Sequence, residues 1–103
     1  MPSIATMATS TQPGHDNCPP TPAASGEPLV TINGSPIMCV SHQFQGHSCG
    51  RPFNHPYHVP TIAQGSSVVS INGKPVSFDG ASISGCPVPI KVQGGDSLVD
   101  VPV

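Results

Sequence analysis

Short apolar stretches of alternating character, each closing on Asn-Gly, recur along this chain. Residues 65–76 read GSSVVSINGKPV, and residues 26–37, thirty-nine positions earlier, read GEPLVTINGSPI. Across those twelve columns Gly, Val, Ile, Asn, Gly and Pro are identical, and Leu/Val, Thr/Ser and Ile/Val exchange conservatively. Val-x-Ile alternates inward and outward side chains, and β-branched residues suit a pleated, half-buried surface. Asn33-Gly34 and Asn72-Gly73 are pairs that tolerate positive φ, as a type I′ hairpin turn requires. The pattern therefore predicts β-hairpins over 29–38 and 68–78. Pro36 and Pro75 follow the turns and remove a donor from the ladder, so the return strands are edges or short. Residues 95–101, GDSLVDV, start a third copy that stops before any Asn-Gly. The chain reads as two and a half copies of one hairpin.

Between the hairpins the pattern is broken by proline. Residues 1–14 are polar and small, with Ile4 and Met7 the sizeable apolar side chains, and read as an extended segment feeding the first copy. Pro19, Pro20 and Pro22 hold the next stretch extended. Residues 39–60 form a Pro- and Gly-broken crossover in which one helical turn over 41–45 is the most that fits. Asp79-Gly80 marks a further turn, and a Pro-rich approach leads into the final half-copy.

Composition sharpens this picture. Fourteen prolines and eleven glycines among 103 residues argue against long helices and for turns and short strands in one domain, 1–103. Charged residues make up 8%, against about 25% in ordinary domains, and there is no Trp. A core this thin needs a staple: a disulfide, a metal or a partner. Three basic residues and a net charge of −2 exclude nucleic acid as a partner. No run of about 20 apolar residues could span a bilayer as a helix. The first fifteen residues lack the charged and apolar regions of a secretory signal, so synthesis in the cytoplasm is expected. In that reducing compartment Cys18, Cys39, Cys49 and Cys86 favour thiols or metal ligation over disulfides. With His15, His42, His47, His55 and His58 they make metal the leading staple.

The approaches to the three copies align. Cys18 precedes Pro-Pro-Thr-Pro, His58 precedes Val-Pro-Thr-Ile, and Cys86 precedes Pro-Val-Pro-Ile. Within about one residue, a side chain able to bind metal takes the same place in each. In a quasi-threefold arrangement, equivalent positions converge on the axis.

Taken in order, GHDNCPP at 14–20, the TINGSP and SINGKP hairpins, His47-Ser48-Cys49-Gly50 and Ser84-Gly85-Cys86-Pro87 resemble the PAAR-repeat family (proline-alanine-alanine-arginine). The likeness covers residues 4–101. It implies a small all-β cone of short hairpins in three pseudo-threefold repeats, pinned by a metal near its point. It also implies one structural Zn2+ held by His15, His47, His58 and Cys86, three imidazoles and one thiolate that fill a tetrahedral site. Cys18 competes with His15, and His55 with His58. His42 and Cys49 are further alternates, read first, like Cys39, as small buried or surface residues. The name-giving motif departs here: Pro36-Ile37-Met38-Cys39 and Pro75-Val76-Ser77-Phe78 both lack the Arg.

The function the resemblance implies is that of the sharp tip of a contractile injection spike, as in type VI secretion. One copy, monomeric on its own, would cap a trimeric spike protein of the valine-glycine-repeat family and help carry separate effector proteins. It would be exported by that machine to the extracellular space or a target cell. Val30, Ile32, Val69, Ile71, Val99 and Val101 are the expected partner-binding residues. No C-terminal effector extension is expected after Val103. A zinc-binding regulator accounts for the His and Cys but not the repeated hairpins. A zinc hydrolase needs an open metal position and a nearby carboxylate; Asp16 alone of five acids adjoins a candidate ligand, and no HExxH is present, so the chain is not read as an enzyme.

Overall fold

A computed structural model describes residues 1–14, 19–46, 57–85 and 89–103. The chain is all-β, with no helix among the described residues. Eleven short strands follow one another: β1 Ser3–Ile4, β2 Thr11–Gln12, β3 Thr21–Pro22, β4 Glu27–Ile32, β5 Ser35–Ile37, β6 Thr61–Ile62, β7 Ser70–Ile71, β8 Lys74–Pro75, β9 Ser82–Ser84, β10 Ile90–Lys91 and β11 Asp96–Asp100. Every pairing between them is antiparallel.

Both Asn-Gly hairpins form. Asn33 and Gly34 have φ of 52° and 79°, and Asn72 and Gly73 have 57° and 79°, the paired positive values of a type I′ turn. They join β4 to β5 and β7 to β8. The return strands are three and two residues long, as Pro36 and Pro75 require. The third hairpin closes differently. β11 pairs with β1, so the first residues of the chain supply the return strand of its last copy. Residues 1–14 thus do not simply feed the first copy. Ile4 lies opposite Asp96 as Ile37 lies opposite Glu27, and burial of that isoleucine fixes the pairing.

Beyond the hairpins the backbone closes a circle. Ala5 N–H donates to Ser77 O (3.1 Å), Ser77 N–H to Met38 O (2.9 Å), and Met38 N–H to Ala5 O (2.9 Å). All three residues are fully buried. The bridges Ile4–Phe78, Thr6–Ile37 and Cys39–Val76 surround this circle. Two residues further out, Met7, Val40 and Asp79 donate to Pro36, Pro75 and Ser3 carbonyls, each at 2.9 Å. The small side chains of Ala5 and Ser77 let three backbones meet at one place. Glycine does the same nearby: a Cβ on Gly26 would stand 2.7 Å from Met7 Cγ, and one on Gly65 2.7 Å from Pro75 Cβ.

From the circle the chain runs outward three times and returns three times, and these six segments pair in a closed order. β2 pairs with β3, and Ala23 bridges Phe44. Gln43 in turn bridges Thr61 of β6. β6 pairs with β9 and β9 with β10, while Gln93 bridges Thr11 of β2. A closed order leaves no free edge among the described residues of this layer. The helical turn expected over 41–45 is absent, because both neighbours demand an extended backbone: Phe44 N–H donates to Pro60 O, and Gln45 N–H to Pro22 O. Ile37, Met38, Cys39, Phe44, Ile62 and Val76 are shut away from solvent and form the centre of the core. The radius of gyration, 13.3 Å, is that of a compact chain of this length, yet the extents of 41 × 24 × 22 Å give one long axis and two nearly equal short ones.

Candidate functional site

Two regions carry candidate chemistry: the His and Cys positions of the expected metal set, and the outer ends of the hairpins. Of the first, His58 is described. It is half-buried and its Nε2 is withdrawn from solvent. His15, His47 and Cys86 lie outside the described residues, as do the alternates Cys18, Cys49 and His55. In sequence they fall between β2 and β3, between Phe44 and β6, and between β9 and β10, the three passages from an outgoing to a returning segment. Among the described residues no three His, Cys, Asp or Glu side chains come together as a metal-binding group.

His42 and Cys39 lie inside the fold. Cys39 is wholly buried and His42 nearly so. The Cys39 N–H donates to His42 Nδ1 at 2.8 Å, which holds that nitrogen as an acceptor and leaves the ring proton on Nε2. Burial pushes the Cys39 thiol above its ordinary range, reinforced by Glu27 and opposed by Lys74. Burial depresses the His42 imidazole, with Lys74 adding to the effect and Glu27 opposing it. Burial thus favours the protonated thiol and the neutral imidazole, which fits packing in a small core.

At the hairpin ends one local device occurs three times. Between Glu27↔Ile37 and Thr31↔Pro36 the register slips, so residues 28–30 have no partner across the hairpin. The same slip separates Ile4↔Asp96 from Ser3↔Asp100, freeing residues 97–99. In the middle copy Ser66 N–H donates to Val76 O while Val76 N–H donates to Val69 O, which sets residues 67–68 off the ladder. Each excursion is pinned at its root by a buried polar side chain. Glu27 Oε1 accepts from Leu29 N–H (3.3 Å), Ser66 Oγ from Val68 N–H (3.0 Å), and Asp96 Oδ1 from Leu98 N–H (2.9 Å). Such side-chain-to-backbone bonds two residues on are the natural turn chemistry of Asp and Ser. Two roots are held again: Asn33 Nδ2 donates to Asp96 Oδ2 (3.1 Å), and Ser66 Oγ donates to Pro102 O.

The residue each root holds is a large exposed apolar one: Leu29 at 73%, Val68 at 70% and Leu98 at 68% exposure. These three were not among the expected contact residues. The doublets Leu29-Val30, Val68-Val69 and Leu98-Val99 carried the signal, because two adjacent apolar residues in an alternating strand cannot both face inward. Of the expected contacts, Val30, Ile32 and Ile71 are half-buried against the core, while Val69 and Val99 are each 37% exposed. Val101, also an expected contact, is 2% exposed and belongs to the core cluster, and its N–H donates to Pro2 O.

No family model matches the chain, and no curated protein is similar to it.

Proposed function

We propose that this protein is the tip of a contractile injection spike of the type VI secretion kind, a pseudo-threefold cone that seats on a trimeric spike protein of the valine-glycine-repeat family. The observation that carries the reading is the closed circle of hydrogen bonds through Ala5, Met38 and Ser77, with like bridges and like outer bonds around it. Three like arrangements about one axis in a single chain are what a partner with true threefold symmetry could match. One long axis with two nearly equal short ones supports the same reading. So do three copies of a pinned, apolar excursion at the hairpin ends. The PAAR-repeat resemblance of the motifs, in their order and spacing, supplies the identity of the machine.

In this reading His15, His47, His58 and Cys86 hold one structural Zn2+. Three imidazoles and a thiolate are a donor set that zinc prefers, and they leave no open position for a water. The His58 ring, half-buried with Nε2 out of solvent, suits a ligand's setting. When bound, the zinc would tie together stretches far apart in sequence and add folding energy directly.

Native mass spectrometry of the chain mixed with a purified trimeric valine-glycine-repeat spike protein from the same organism tests the proposal. One chain per three spike subunits is the expected mass. A chain that stays free in that mixture yet carries zinc would return the reading to a zinc-binding regulator.

A further inference from the structure

The exposed apolar surface of this protein is not scattered. Leu29, Val68 and Leu98 are among its most exposed large hydrophobic side chains, and each occupies the same place in its copy, two residues after a buried Glu, Ser or Asp that holds its N–H. Leaving a Leu or Val in water forgoes the stabilisation that burying it would bring. Burying a carboxylate at the root of each of two excursions adds a desolvation cost. A fold that makes this arrangement three times is holding three apolar prongs, one at the same place in each copy.

We infer that these prongs are the contact by which the chain seats on a homotrimer, one prong to one subunit, with Glu27, Ser66 and Asp96 as positioning residues; this rests on the spike-tip reading. The partner is a coaxial trimer presenting three equivalent apolar pockets. Two features argue for that occupant over an irregular one. The three exposures agree to within a few per cent, so no prong is privileged. The roots differ in chemistry (carboxylate, hydroxyl, carboxylate) while delivering the same bond, so the fold keeps the presentation and not the residue. The half-exposed Val69 and Val99 next to the prongs would form the surrounding seal that keeps water from the contact.

The experiment measures the affinity of the chain for a purified trimeric valine-glycine-repeat spike protein from the same organism. Wild type is compared with Leu29→Ser, Val68→Ser, Leu98→Ser and the triple variant, and thermal melting confirms that each is folded. Similar losses of about 5-fold for each single change, and of about 100-fold for the triple, are expected. Asp96→Ala should weaken binding, and Asp96→Asn, which keeps the acceptor for Leu98 N–H but not the one for Asn33 Nδ2, should restore part of it. A folded triple variant that binds like wild type overturns the prongs while leaving the spike-tip reading intact. A loss carried by one prong alone overturns the one-to-one match with three subunits. Wild type that binds no trimer, or pairs with a second copy of itself instead, removes the spike-tip reading and the prong assignment with it.

Discussion

Ser41 has φ of 81°, a left-handed value that costs a residue with a Cβ of order 1 kcal/mol or more. At the matching place after Asp79, Gly80 has φ of 92°. Ser41 is exposed, and its N–H bond to Ile62 O (2.9 Å) does not depend on its side chain. Ser41→Gly should therefore stabilise the protein by about 0.5–1 kcal/mol, relief of strain outweighing glycine's greater freedom in the unfolded chain. An unchanged or lower midpoint in urea would show that the serine is not strained. His42 gives a pH dependence. Its folded-state pKa is depressed, so the neutral ring contributes stability that is present above the unfolded value near 6.5 and is lost as pH falls through the lower folded value. Protonating Nδ1 would also break the bond from Cys39 N–H. Melting temperatures from pH 7 to pH 5 should fall more steeply for wild type than for His42→Asn; parallel curves would assign the acid sensitivity elsewhere.

The hairpins are the elements most legible in the sequence, and the third is the instructive one. Asn33-Gly34 and Asn72-Gly73 declare their turns locally, because positive φ at two successive residues is a property of those residue types. The last copy carries no such signal, and its partner strand lies at the other end of the chain. Ser3 opposite Asp100, and Val101 N–H on Pro2 O at 2.8 Å, bring the two termini to where the turn stands in the other hairpins. A circular permutant follows from this. Replacing residues 102, 103 and 1 by Asn-Gly, with Pro2→Ser to supply the N–H that closes the turn, and opening the chain between Asn33 and Gly34 should give a folded monomer. Its melting temperature is expected within about 5 °C of wild type, since the core and the bond circle are untouched and one hairpin turn replaces another. A permutant without a cooperative transition would mean that β4–β5 must be continuous for the fold to form.

For the molecule as a whole the question is what holds so little core together. Aromatic side chains contribute 4% of residues and charges 8%, and the strands are two to six residues long. The closed order of six segments and the bond circle satisfy backbone groups in the interior, but burial in a chain of this size leaves a small net stability. On the proposed reading zinc supplies the difference. Protein purified without added metal or nickel should carry about one zinc per chain, and its removal by a chelator should lower the melting temperature by more than about 10 °C. Cys86→Ser should do the same with metal present. Full zinc and an unchanged melting curve in that variant would remove Cys86 from the set.

What the sequence determined by itself is local: where the turns fall, that the strands are short, that long helices are disfavoured, and that two hairpins share one pattern. These follow from backbone preferences of Asn, Gly, Pro and β-branched residues, which act over a few positions. Tertiary structure alone decided which strand completes the third hairpin, that Val101 turns into the core, and that residues 43–45 pair as extended backbone rather than continue a helical turn. It also decided that Leu29, Val68 and Leu98 face outward on pinned excursions. The first three depend on backbone hydrogen bonds between residues far apart in sequence, the excursions on side-chain bonds two residues long, and alternation of side chains says which faces differ without saying which face the core will take.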